Sequence, residues 1–132
     1  MQTVQHKFRV MTYDIDFAGI VSNISYIRWL EDLRNLFAEQ ALSLGDALQR
    51  GIAPTLMHTE IDYLAPVRFP DIVIGQMWLA EHGRSKWVLA AEFQSETTDQ
   101  IVARAKQAGV FVTLETLRPV RLPKEYQAPD LK

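Results

Sequence analysis

The chain has 132 residues, 48% of them hydrophobic and 23% charged, which suits a folded core and excludes a disordered chain. A net charge of −2 argues against nucleic acid as the main partner, because phosphate binding draws on a basic excess. With no cysteine there is no disulfide framework, thiol nucleophile or cysteine metal site.

The opening MQTVQHKFRV lacks the apolar core of a signal peptide, and no run approaches the roughly 18 apolar residues of a membrane span. The expectation is a cytoplasmic protein with no membrane partner. From Val4 to Tyr13 the chain alternates, with Val4, His6, Phe8, Val10 and Thr12 on one face, which predicts a half-buried strand. A turn over Asp14 to Ser22 follows, with Gly19 supplying the backbone freedom of a tight reversal. From Asn23 the period becomes helical. Ile27, Leu30, Leu33, Phe37, Ala41 and Leu44 form one apolar stripe, Ser22 or Asn23 can cap its start, and Gly45 is a natural stop. Asp46 to Arg50 reads as one extra helical turn closed by Gly51.

After Pro54 the pattern is β. Four strands are expected, over Thr55–Leu64, Asp71–Glu81, Ser85–Thr97 and Ile101–Leu117, with turns at Gly83 and at Thr98-Asp99. Ala103 to Ala108 is rich in alanine, but the strand patterns around it favour an extended reading. Pro119, Pro123 and Pro129 predict a loose tail. The order is strand, long helix, four strands. That predicts an α+β domain with one long helix against an antiparallel sheet of about five strands. There is no repeat, low-complexity segment or linker, so residues 1–132 are expected to form one domain.

Little in this chain carries familiar chemistry. His6, His58 and His82 are scattered without a short-spaced ligand pair, so no metal site is expected. The glycines never cluster into a phosphate loop or dinucleotide fingerprint, and no serine sits in a G-x-S-x-G elbow. What remains is Asp16, with Asp14 as its rival, in a glycine-containing turn just before a helix start. Backbone N–H groups are unpaired there and the dipole is positive. Such a place suits a carboxylate acting beside a polarised carbonyl. It equally suits a carboxylate that only caps a turn.

The run D-x-D-x-x-G-I-V-x-N-x-x-Y-x-x-W-x-E-x-x-R, from Asp14 to Arg34, resembles the opening of hotdog-fold acyl-CoA thioesterases of the 4-hydroxybenzoyl-CoA thioesterase type. EIDYLAPVRFPDIV resembles that family's strand–proline–turn–strand segment, HGRSKW its next hairpin, and R-P-x-R-L-P its ending. The likeness runs from about His6 to Pro123. It implies a curled antiparallel sheet around one long helix, and a homodimer or homotetramer whose paired subunits share a continuous sheet with active sites at the interface.

It further implies hydrolysis of acyl-CoA thioesters, with coenzyme A entering only as part of the substrate and no separate cofactor. Asp16 would act as nucleophile or general base. The helix start at Asn23, with Ser22, would polarise the carbonyl and orient the substrate. Gly19, Tyr26, His58 and Tyr63 are candidates for binding the acyl part. Arg84, Ser85 and Lys86 are candidates for the coenzyme A phosphates, against a solvated hairpin tip as the plainer reading. Asp14 is read as bonding the turn backbone, Tyr26, Trp29 and Arg34 as packing and pairing, and Glu31 with Arg34 as an ordinary ion pair. Most of the strand aromatics Tyr63, Phe69, Trp78 and Trp87 are expected in the core.

Ile20 stands where many relatives carry a histidine, and Ser22-Asn23 where many carry a histidine or tyrosine pair. Asn23 matches a branch that includes acyl-carrier-protein thioesterases, which leaves that substrate as an alternative beside a non-catalytic acyl-CoA binding module.

Overall fold

The computed structural model describes residues 2–127. Its strands are β1 (Thr3–Arg9), β2 (Ile52–Tyr63), β3 (Ile72–His82), β4 (Lys86–Ser95), β5 (Ile101–Thr113) and the two-residue β6 (Pro119–Val120). Helix α1 (Asn23–Ala41) and the short α2 (Leu44–Gln49) lie between β1 and β2. The five long strands form one antiparallel sheet in the order β1-β3-β4-β5-β2, with β6 added to β5. The expected α+β hotdog architecture is present, with the sheet's inner face packed on α1.

Helix α1 starts where expected. Ser22 is extended, and its Oγ accepts from the Ser25 N–H at 3.4 Å. It stops four residues before Gly45. Leu42 leaves the helical region, and Ser43 caps α2 by accepting from the Asp46 N–H at 3.1 Å. Gly45 is therefore inside α2, whose end does fall at Gly51 as expected.

The buried face is also rotated from the predicted stripe. Tyr26, Trp29, Leu30, Leu33, Phe37 and Ala38 are buried, while Ile27 and Leu44 are exposed. Tyr26, Trp29, Leu30, Leu33 and Phe37 meet Val4, Phe8, Met77, Ala91, Phe93 and Ala103 of the sheet in one core. Each large side chain hidden there contributes about 1.5–3 kcal/mol.

Two further expectations are corrected. β1 ends at Arg9 rather than Tyr13, because residues 12–14 form a 3₁₀ turn tied by Asp14. The last strand ends at Thr113, and the tail is not loose: Val120 pairs with Phe111, while Leu122 and Tyr126 are buried. Tyr126 packs edge-on against Phe37 and Phe111, and Arg50 forms a two-pronged ion pair with Glu125. The prolines mattered less than the apolar residues between them. Pro129 lies outside the described residues.

Asp71 locks the turn ahead of β3 to the end of β4. It accepts from Ser95 Oγ at 2.5 Å, Thr97 Oγ1 at 2.7 Å and the Ile72 N–H at 2.7 Å. Partial burial opposes ionisation, but the hydrogen bonds from Ser95, Thr97 and the Ile72 backbone outweigh it and hold the carboxyl below its ordinary range. A depressed carboxyl stabilises the fold above its unfolded pKa of about 3.9, and that stabilisation is lost as pH falls through the lower folded value. Ser95→Ala should therefore begin acid unfolding at higher pH than the wild type in a circular-dichroism titration. An unchanged acid midpoint would contradict this role.

Candidate active site

The segment between β1 and α1 is a small hairpin. Ile15 bridges Val21, the Asp16 N–H donates to the Ile20 carbonyl at 2.9 Å, and Gly19 turns the chain at φ +77°. Asp16 is exposed at its tip. Its Oδ1 accepts from the Ala18 N–H at 2.8 Å and the Ile20 N–H at 3.2 Å. Among the described residues Oδ2 has no hydrogen-bond partner, so one oxygen is anchored and the other is available.

Asp14 behaves differently. It is 4% exposed, accepts from the Met11 N–H at 2.9 Å and from Ser25 Oγ at 3.0 Å, and its own carbonyl accepts from the Ser22 N–H. It bonds the turn backbone, as the sequence suggested, and through Ser25 it also ties the hairpin to the first turn of α1.

The helix start offers donors. Among the described residues the N–H groups of Asn23 and Ile24 have no acceptor, as expected for the first turn of a helix. The Asn23 side chain is exposed, while Ser22 Oγ is occupied as the cap. Tyr26 is 3% exposed, edge-on to Tyr63 at 5.5 Å and to Phe93 at 5.3 Å. Burial, with Tyr63 and Asp71 adding to it, pushes its phenol up to about 12, so at neutral pH it is a proton donor and not a base. Tyr63 is about half exposed, and burial raises its pKa too.

These groups gather at one end of the sheet. The Val21 N–H donates to Val67, the Val10 N–H to Asp71, and the Leu64 N–H to Val102, so Asp16, Gly19, Ser22, Asn23, Tyr26 and Tyr63 share it. His58 is apart from them, exposed midway along the edge strand β2, with Glu60 3.7 Å away. Arg84, Ser85 and Lys86 form the β3–β4 hairpin at the far end. The ten residues of β4 separate them from that end, which is about 30 Å at 3.3 Å per residue. One chain does not bring that cluster beside Asp16.

Sequence reasoning passed over a nearer cation. Arg68 bridges Ile20 of the Asp16 hairpin and is exposed, with the half-exposed Phe69 next to it. Its signal was the charged residue inside PVRFPD. The expected Glu31–Arg34 ion pair is absent among the described residues, and Arg34 turns inward to Gln107 at 2.6 Å. Of the four strand aromatics only Trp87 is fully buried. Tyr63 is the last paired residue of β2, opposite Ala103, Phe69 lies outside the strands, and Trp78 lies on the outer face. Among the described residues no group of three or more acidic, histidine or cysteine side chains could hold a metal ion. No helix there is long and apolar enough to cross a membrane.

A family model described as "Thioesterase-like superfamily" matches residues 10–129. A 1,4-dihydroxy-2-naphthoyl-CoA hydrolase from Synechocystis sp. is 24% identical over 135 residues, covering 96% of this chain and 94% of that one. A 4-hydroxybenzoyl-CoA thioesterase, solved as an aspartate-to-asparagine mutant complexed with 4-hydroxybenzoyl-CoA, superimposes with a TM-score of 0.85. It is 24% identical and covers 96% of this chain and 97% of its own. A Staphylococcus aureus protein solved in complex with CoA superimposes at 0.87 with 16% identity, covering 96% of this chain and 80% of that one. At these identities the structural likeness speaks for the fold.

Proposed function

Because the chain belongs to the thioesterase-like superfamily, we propose that it hydrolyses acyl-CoA thioesters, with Asp16 as the carboxylate that drives the reaction. One observation carries this reading. Asp16 is held at the tip of a rigid hairpin with Oδ1 bound to two backbone N–H groups and Oδ2 unengaged, at the same end of the sheet as the open N–H groups of Asn23 and Ile24. A thioester carbonyl lying against those donors gains stabilisation as its oxygen becomes negative, typically about two to three orders of magnitude in rate for such a donor.

Two routes start from Oδ2. As a base it takes a proton from water, which attacks the carbonyl and expels coenzyme A as the thiolate. As a nucleophile it attacks directly, expelling the thiolate and leaving a mixed anhydride that water cleaves. In ¹⁸O-water, label recovered in Asp16 after one turnover marks the anhydride route. The relative crystallised with its namesake thioester carries an aspartate-to-asparagine change, which supports a carboxylate in this role. The direct test is thiol release from a panel of acyl-CoA thioesters. Absence of release from every short, long and aromatic member would refute the reading.

The same reading includes a homodimer. β2 pairs with β5 on one side only, and Leu56, Met57 and Tyr63 along it are exposed, a long edge that a lone monomer would leave open to aggregation. Two copies of β2 pairing antiparallel put the Tyr63 end of one beside the Ile52 end of the other. That pairing also carries Arg84, Ser85 and Lys86 of one subunit toward the Asp16 end of its partner. Light scattering should give twice the 15.1 kDa chain mass. Met57→Lys should shift the protein to monomer and lower kcat/KM about 10-fold or more, since the site is shared. A monomeric, fully active wild type would exclude the shared site.

A further inference from the structure

Arg34 is the only charged side chain of α1 turned into the interior among the described residues. Its Nη1 donates to Gln107 Oε1 at 2.6 Å, and Gln107, itself 1% exposed, donates through Nε2 to Thr59 Oγ1 at 3.0 Å. This chain of Thr59, Gln107 and Arg34 crosses from β2 through β5 to the helix and holds the guanidinium in one place. No carboxylate lies within ion-pair distance of it among the described residues. Burial lowers the Arg34 pKa, with Glu31 pushing it back up, yet an arginine stays charged inside proteins. A half-buried cation with one neutral partner and unused donors is a costly arrangement unless something else completes it.

What adjoins it is a cavity of about 200 Å³ between α1, β2 and β4. Arg34, Asn35, Leu56, Trp87 and Leu89 are in its wall, and Glu31 is at its exposed side. Trp87, in the same wall, carries an unpaired donor within the packed interior. Its residue is 2% exposed, and its indole Nε1–H has no hydrogen-bond partner, the one buried side-chain polar atom so left among the described residues. Such orphaned donors are rare in native proteins and call for an explanation. The wall thus combines a fixed cation with apolar surface, with Glu31 at the exposed side. That combination suits an acceptor group of negative charge on an apolar stem.

We propose that this cavity receives a carboxylate at the far end of the acyl group, so that the preferred substrate is a dicarboxylic acid joined to coenzyme A through one of its two carboxyls. The proposal rests on the thioesterase reading and on the β2 pairing above. Within one chain Arg34 stands about 16 Å along the helix from Asn23, at 1.5 Å per residue. Pro54 and Leu56, at the cavity's edge, belong to the end of β2 that antiparallel pairing sets beside the partner's Tyr63 end. The thioester is then cleaved in one subunit while Arg34 of the other reads the acyl tail. Arg34 is the specificity residue and takes no part in bond breaking.

The experiment compares adipyl- and suberyl-CoA with hexanoyl- and octanoyl-CoA. In the wild type, kcat/KM for the better carboxylated substrate should exceed that of its neutral counterpart about 10-fold or more. Arg34→Met should bring that ratio to one or below, and Arg34→Lys should retain part of it. A wild type without the preference, or a ratio unchanged in Arg34→Met, overturns the proposal. A second measurement needs no catalysis. Monomethyl suberate titrated into ¹⁵N-labelled protein should shift the Trp87 indole signal saturably, with assignment by Trp87→Phe, and should not do so in Arg34→Met. No saturable shift in the wild type overturns the cavity's role. If no thioester is cleaved at all, the thioesterase reading fails, and the titration alone then decides the cavity.

Discussion

Asp16→Asn is expected to fold normally and to lose about three orders of magnitude in kcat for thiol release. The asparagine keeps an Oδ1 that can accept from the Ala18 and Ile20 N–H groups, at 2.8 and 3.2 Å in the wild type, so the hairpin and its Gly19 turn survive. What it lacks is the negative charge on Oδ2, which both routes require. Asp16→Ala removes the anchor as well and should lose activity together with some order in the hairpin. Asp14→Asn offers a contrast. Asp14 is buried against Met11 and Ser25, so its replacement should lower stability more than Asp16→Asn does. Side-by-side rates and melting temperatures check all three. An Asp16→Asn protein that keeps wild-type activity would move the search to Glu31 or His58.

Gly109→Ala is expected to be the most disruptive small substitution in the sheet. A Cβ there would lie 2.1 Å from the Thr55 carbonyl oxygen and 2.4 Å from Trp87 Cζ2. The reason is local. β2 and β5 slip register between Leu56 and His58, and beside this bulge the Thr55 carbonyl lies over Gly109, while Trp87, opposite Gly109 on β4, lays its ring against it. A backbone oxygen cannot rotate away, so accommodating the methyl breaks strand pairing. The cost should be about 3 kcal/mol, a fall in Tm of roughly 10 °C. Shrinking Trp87 in the same protein should recover little, because the Thr55 contact remains. Urea unfolding measures both. A Gly109→Ala midpoint equal to that of the wild type would show that the strand moves aside cheaply.

The two carboxylates of YDIDFAG were separable in part from sequence, since a glycine turn before a helix start narrows what a carboxylate can do. Their burial was not separable: nothing local says that Asp14 turns inward onto Ser25 while Asp16 stays in solvent. The helix was similarly half legible. Its period placed Leu30, Leu33 and Phe37 in the core, but Ile27 and Leu44 belong to that stripe by angle alone and are exposed. An angle does not say how wide a sheet covers it. Tyr26 and Trp29 were assigned to packing correctly, though off the stripe, because their rings reach Phe8 and Phe93.

Strand positions followed from alternation and turn residues, which act over a few neighbours, and so the order of elements and an α+β domain could be read along the chain, while the hotdog architecture rested on the family resemblance. The same local physics located the Asp16 hairpin and the capped start of α1. Distances between elements depend instead on which strands pair and in what register. Only the folded sheet therefore separates Arg84, Ser85 and Lys86 from Asp16 by the length of β4, and brings Arg68 to its side. Only the folded sheet also turns Arg34 away from Glu31 and onto Gln107, 73 positions further along the chain. A helical spacing of three had pointed to an ion pair. A buried amide held by Thr59 offered the guanidinium a fixed acceptor that no neighbour in sequence could provide.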